Sequence, residues 1–368
     1  VNLIVSCRPG TYSAITRDER CNGFGVGDQR ELLMPPSIRD LIEKRINTCI
    51  ERINNDTKDH PCSKEFDLNK LIFIRSIIIE LIDKLNYRVD SMLIGICNYD
   101  IRNVLTLIKQ MLFGEHWIIK YVASTVGGAY GKEVPSPYIT EVTAVRSFTL
   151  CEFDRFSTRT SGQIFNPLFN KKDKSYDLML AYIVKYMVAH QESGRFRIRK
   201  DILRNILTII YFDSEVDSAL QSDGIITYLV DNQAVFIEIE EDVIYYVMLP
   251  KLIYVWKWIN RSRALLDLFR DECFYEHDSE RPAQYIPTAN LHGDELFMCV
   301  LGFVKKISES ELNSKERILS KGIENYNKYI RQFGPETISE RLLNGCLASF
   351  KDYYQDEEER KMKYEINA

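Results

Sequence analysis

The first apolar run of the chain, NLIVS at residues 2–6, constrains the fold most, because it predicts a strand without a nearby partner. The run is short and β-branched, and Pro9 and Gly10 bound it, which is typical of a strand covered on both faces in a parallel sheet. The next ~100 residues show no second strand pattern. We therefore expect the sheet partners to precede Val1, and the chain to be the later part of a longer protein.

Length and composition indicate a globular protein of two or three domains. The chain has 368 residues, of which 45% are hydrophobic and 27% charged. Its net charge of −5 argues against a protein that coats nucleic acid. The longest apolar run, LIFIRSIIIELI, is interrupted by Arg75 and Glu80, so we expect no membrane span.

Cysteine and histidine usage predicts a reducing cytoplasm and no metal site. The nine cysteines are scattered without a C-x-x-C pair, and the five histidines include no H-E-x-x-H motif.

The order of patterns predicts a mainly α chain with one α+β unit. After a Gly-rich loop, helical patterns run through residues 31–130, with a turn at Cys97 to Tyr99 and a new helix from Asp100. A Gly/Pro-rich linker is expected at 131–175. Residues 176–260 show three helices, a short extended piece and a hairpin turned near Glu241–Asp242, which is the winged-helix pattern. Residues 261–368 read as a charged, helical C-terminal region.

Two arginines could meet a phosphate. Arg8 follows the predicted strand, and ligands bind at the carboxyl edge of parallel sheets, where a guanidinium can fork onto phosphate oxygens. Alternatively, Arg8 is a surface residue that follows the strand.

Arg102 lies in the first turn of the helix that Asn98 or Asp100 caps, where a cation is unfavourable unless an anion offsets it. That anion could be a ligand or a nearby protein carboxylate.

The chain resembles the later half of a AAA+ or STAND-type P-loop NTPase in the order of its segments. That order is a strand followed by SCRP, a loop, a helical bundle that contains NYDIR, and a winged helix. The likeness is greatest to large bacterial ATPases, many of which act in antiviral defence. VNLIVSCRP resembles the sensor-1 strand and NYDIRNVLTLIKQML the sensor-2 helix of the lid. The resemblance implies that residues 1–30 end the NTPase core and that 31–130 form the lid. It also implies that Ser6, Arg8, Asn98 and Arg102 contact the nucleotide.

The sequence has no phosphate loop of the form G-x-x-x-x-G-K-[ST], and no apolar strand that ends in Asp-Glu. ATP with Mg²⁺ is therefore expected only in the context of a longer protein, and this chain alone should not hydrolyse it.

Charge patterning argues against DNA binding by the predicted winged helix. No Lys or Arg occurs between Asn205 and Pro250, a stretch that contains nine acidic residues. A basic patch precedes it, formed by Arg195, Arg197, Arg199, Lys200 and Arg204. The patch is a solvated face, a phosphate-binding surface or a contact with an acidic partner.

We expect a regulatory half of a cytoplasmic P-loop ATPase, in which the two arginines sense nucleotide. The winged helix and C-terminal helices would relay that state to homo-oligomer assembly or to a protein partner. The alternatives are a DNA-binding module like a replication initiator, and a helical scaffold that needs no nucleotide.

Overall fold

The computed structural model describes residues 37–55, 75, 87–113, 145, 149–150, 164–168, 178–210, 218–262, 265–270, 293–348 and 351. The predicted strand at residues 2–6 and the loop after it lie outside these ranges. Within them the chain is mainly helical, with a small three-stranded antiparallel sheet.

Three helices before the sheet lie within the described residues, in the region where helical patterns were predicted. They are α1 (Ile38–Asn55), α2 (Tyr87–Ile96) and α3 (Ile101–Phe113). Ser37 caps α1, because its Oγ accepts the Asp40 N–H at 3.1 Å. Asp100 caps α3 in the same way, through the Arg102 N–H at 2.9 Å. The predicted turn at residues 97–99 is confirmed between α2 and α3.

The next unit, the helix–sheet unit, runs from residue 178 to residue 262. Its elements are α4 (Met179–Glu192), β1 (Arg197–Arg199), α5 (Lys200–Ile210), α6 (Ser218–Asp231), β2 (Val235–Glu240), β3 (Val243–Met248) and α7 (Pro250–Ile259). The strand order is β1-β3-β2, with Ile198 opposite Tyr246 and Ile239 opposite Ile244. The predicted hairpin turn falls at Glu241 and Asp242, both with positive φ.

The C-terminal region is helical within the described residues, as predicted. It contains α8 (Gly293–Ser320), α9 (Ile323–Phe333) and a helix at 338–348. The last helix begins with a capping box between Thr337 and Glu340. The buried carboxylate of Glu311, on α8, also accepts the Ile338 and Ser339 N–H groups at 2.6 and 2.9 Å.

The buried apolar residues form one cluster that extends from Ile42 in α1 to Cys346 near the C-terminus. Part of the predicted linker belongs to it, because all five residues at 164–168 are buried. The Tyr228 hydroxyl of α6 accepts the Asn166 N–H at 3.1 Å and donates to the Asn166 carbonyl at 3.2 Å. These contacts fix the segment against the helix–sheet unit.

Candidate functional site

The turn between α2 and α3 has a backbone that few residues adopt. Asn98 and Tyr99 have φ values of 51° and 62°. Their N–H groups donate to the carbonyls of Gly95 and Ile94, both at 2.9 Å, which satisfies the end of α2. Asn tolerates the left-handed region better than most side chains, so the sequence NYD suits this turn.

The side chain of Asn98 joins this turn to the helix–sheet unit. Its Nδ2 donates to the Gln233 carbonyl at 2.8 Å, just before β2. Its Oδ1 accepts the Lys251 N–H at 2.9 Å, in the first turn of α7. The N-cap residue of α7, Leu249, has no side-chain cap, so Asn98 supplies the cap from a distant part of the chain. Asn98 was predicted as a nucleotide contact, and its amide is engaged within the protein.

Close packing supports the same junction. The Cβ of any residue larger than glycine at position 95 would overlap the ring of Tyr254, on α7. The rings of Tyr99 and Tyr254 meet edge to face, with centroids 6.4 Å apart. Helix α2 therefore contacts the Tyr254 ring of α7 at Gly95, where the absence of a side chain leaves room for that ring.

A buried Lys–Cys pair lies beneath the turn. Lys251 is 4% exposed and Cys97 is 3% exposed. Burial lowers the pKa of Lys251 to about 8, although the nearby Cys97 opposes that shift. Burial also raises the pKa of the Cys97 thiol to about 12. Burial therefore disfavours the charged form of both groups at the end of α2.

Arg102 is exposed in the first turn of α3, on the side of the turn that faces solvent. Its backbone N–H is bound by Asp100, but its guanidinium has no ion pair with any described residue. The predicted alternative, a pairing with a nearby carboxylate, is therefore absent from the part of the chain that the structure describes. Arg8 and Ser6 lie outside the described residues, so their distance from Arg102 stays a prediction.

The basic patch is largely neutralised by the protein's own carboxylates. Arg197 pairs with Glu240 at 2.6 Å and with Glu238 at 3.5 Å, and its guanidinium lies 4.5 Å from the centre of the Tyr245 ring. The other pairs are Arg199 with Asp201, and Lys200 and Arg204 with Asp223. Arg195 is exposed and has no such partner among the described residues.

Asp223, Glu238 and Glu240 are three of the nine acids that we expected to repel a duplex. In the folded chain these three acids bind cations of the basic patch, so part of the acidic stretch pairs with that patch. Neither Gln233 nor Lys251 was predicted to belong to a site. Their contacts with Asn98 span 135 and 153 residues, and no local pattern signals such a contact.

No group of three His, Cys, Asp or Glu side chains in the described ranges could hold a metal ion. None of the helices there is long and apolar enough to span a bilayer. Comparisons with protein-family models, with curated proteins and with solved structures find no match to this chain.

Proposed function

We propose that this chain is the regulatory part of a P-loop ATPase of the AAA+ or STAND type, as in the bacterial defence ATPases that it resembles. The nucleotide would be held by a phosphate loop outside this sequence, and Arg8 and Arg102 would report its state. One observation carries the proposal: Asn98 joins the turn before Arg102 to both the hairpin and α7. A movement of the turn must therefore break those bonds or move the helix–sheet unit.

We further propose that the helix–sheet unit is a winged helix. The element order α4-β1-α5-α6-β2-β3 supports this reading, as does a three-stranded sheet with β3 in the centre. In such a fold α6 would be the helix that enters a DNA groove. Because α6 carries no Lys or Arg and four of the five cations of the basic patch are already paired, a protein contact is a better use of this surface than duplex DNA.

Arg102 has the properties that a phosphate sensor needs. Its guanidinium is exposed and unpaired among the described residues, and α3 behind it begins at a capped, hydrogen-bonded turn. An Arg fork can bind phosphate oxygens bidentately. When bound, Mg²⁺-ATP would supply that phosphate. We propose that the phosphate-loop domain would hold the cation, and no group of three His, Cys, Asp or Glu among the described residues competes for it.

The test uses the native polypeptide that contains this chain, with Arg8→Ala, Arg102→Ala and the control Lys109→Ala, which removes an exposed cation from the same helix. We expect both arginine variants to lose at least about tenfold in ATP turnover, as for other charge-stabilising contacts, and Lys109→Ala to keep it. Turnover that is unchanged in both arginine variants contradicts the sensor role.

A second measurement tests the relay. Hydrogen exchange of the β2–β3 hairpin should change when ATP binds to the wild type, and should no longer respond in Asn98→Gly, although ATP still binds. An equal response in both proteins contradicts the relay. Salt-dependent duplex binding that is lost on neutralising Arg197, Arg199 and Lys200 would instead favour the DNA-binding alternative.

A further inference from the structure

Helix α8 (Gly293–Ser320) has a buried face and an exposed face of different character. The buried face packs against α5 and α9 and consists of Val300, Phe303, Val304, Ile307 and Ile318. On the opposite side, Met298, Leu312 and Leu319 are 65%, 55% and 45% exposed. A single exposed apolar side chain is ordinary, but these three form a row.

The row has the spacing of a helix–helix seam. Met298, Lys305, Leu312 and Leu319 are each seven residues apart, and residues at this spacing return to nearly the same side of a helix. At 1.5 Å per residue the row is about 32 Å long. All four side chains are exposed, so the row, which we call the α8 seam, is open along its length.

Charges beside the α8 seam of one copy would face opposite charges of a second copy if the two copies were related by a two-fold axis. Lys305, Glu309 and Glu316 are exposed and form no ion pair with another described residue. If a second α8 runs antiparallel, with the axis near Ser308 and Glu309, Met298 meets the second copy's Leu319. Lys305 then lies over the second copy's Leu312, beside the second copy's Glu309 and Glu316.

A parallel pair has no such complementarity. It would place Lys305 against the same lysine of the second copy, and like charges that face each other across a seam are destabilising. The apolar ends, the central cation and the flanking acids therefore select one orientation.

We propose that two copies of this chain associate through the α8 seam as an antiparallel pair. A seam with a lysine near its centre is weaker than a fully apolar one, so the dimer is expected to depend on protein concentration. The pairing requires no nucleotide. It does not depend on Arg8 or Arg102, so the two proposals can be tested separately.

The test is sedimentation equilibrium of the full chain over a wide range of concentration. We expect a monomer–dimer equilibrium in the wild type, and a dimerisation constant at least about tenfold weaker in Leu312→Glu, which buries a charge in the seam. The matched control is Asn313→Glu, which adds the same charge to an exposed position one residue along and about 100° around the helix. This control should dimerise like the wild type, and circular dichroism should show that all three proteins are folded.

Orientation is tested with Lys305→Glu. In the antiparallel pair this change sets a third carboxylate beside the second copy's Glu309 and Glu316, so it weakens the dimer, and adding Glu309→Lys restores it. A wild type that remains monomeric at every concentration overturns the proposal, as does a dimer that Leu312→Glu leaves intact. A mixture of wild type and Lys305→Glu that associates more tightly than the wild type alone indicates a parallel pair and overturns the orientation.

Discussion

The Oδ1 of Asn98 accepts the backbone N–H of Lys251 at 2.9 Å, and this bond caps α7 from a turn 153 residues earlier in the chain. Lys251 contacts the same part of the chain a second time, because its buried side chain lies near Cys97, just after α2. The end of one helix and the beginning of another are thus held together by two residues.

Asn98→Gly should lower the free energy of unfolding by about 2 kcal/mol, because two hydrogen bonds of about 1 kcal/mol each are lost. Glycine adopts the φ of 51° without strain, so the change isolates the side-chain bonds. Urea denaturation measures the effect. The control Asn103→Ala, at an exposed position on α3, should change stability by less than about 0.5 kcal/mol. Equal effects of the two substitutions would show that the Asn98 bonds are not stabilising.

Gly95→Ala should destabilise the protein by about 1–3 kcal/mol, because the new methyl group overlaps the Tyr254 ring on α7. Gly224→Ala is the matched control: it also lies in a helix, α6, but a Cβ there meets no atom within 4 Å. This control should stabilise the protein by up to about 1 kcal/mol through helix propensity. Thermal unfolding of both variants decides the matter, and a shift of the same sign in both would contradict the close approach of α2 and α7.

The β2–β3 hairpin turns through two residues that are poorly suited to it. Glu241 and Asp242 have φ values of 49° and 63°, and a two-residue turn of this kind favours Asn-Gly. The double substitution Glu241→Asn and Asp242→Gly should therefore raise the free energy of unfolding by about 1 kcal/mol. Chemical denaturation provides the measurement, and an unchanged or lower stability would mean that these acids have a stabilising contact.

Lys251→Met should stabilise the protein at neutral pH, by an amount that shrinks as the pH rises. Burial lowers the pKa of Lys251 from 10.5 to about 8. Between these values the unfolded chain binds more protons than the folded chain, so the folded wild type gains stability with increasing pH. Below about pH 8 the folded protein bears the full cost of a buried ammonium, roughly 3 kcal/mol, which the methionine removes.

Cys97 changes the pH dependence of the free energy of unfolding in the direction opposite to Lys251. Burial raises its pKa from 9.0 to about 12, so in that range the folded state holds the proton and stability falls with pH. The free energies of unfolding of the wild type and of Lys251→Met are therefore measured from about pH 7 to 10 and subtracted. Both proteins contain Cys97, so its contribution cancels in the difference. A constant difference for Lys251→Met would rule out a lowered pKa.

Helix and strand positions in the described residues could be read from the sequence because their signals are local. The repeat of Ile38, Leu41 and Ile42, the cap at Asp100 and the breaks at Cys97 and Glu241 each depend on a few neighbouring residues. The same holds for the aromatic helix α7, which begins at Pro250, a residue whose fixed φ suits the first helical turn.

The candidate site was predicted less completely. Asn98 was predicted to lie in the turn at residues 97–99 and Arg102 in the first turn of the next helix, and the structure confirms both positions. The partners of Asn98 could not be predicted, since they are Gln233 and Lys251. The sequence left the basic patch open as a solvated face, a phosphate-binding surface or a partner contact, and it gave no sign that Arg197 and Arg204 bind carboxylates of the hairpin and of α6. The sequence shows how many charges a stretch carries. Whether those charges are paired depends on which oppositely charged side chains the fold brings within about 4 Å of them.

The sequence by itself determined the turn at residues 97–99, the order of helices and strands in the helix–sheet unit and the helical character of the C-terminal region, because hydrophobic period, capping and turn chemistry act over a few residues. Only the tertiary structure decided that Asn98 caps α7, that Lys251 is buried beside Cys97, and that Asp223 and Glu240 bind cations of the basic patch. Each of these depends on the packing of segments that are far apart in the chain, and packing sets both the distance between two groups and their access to water.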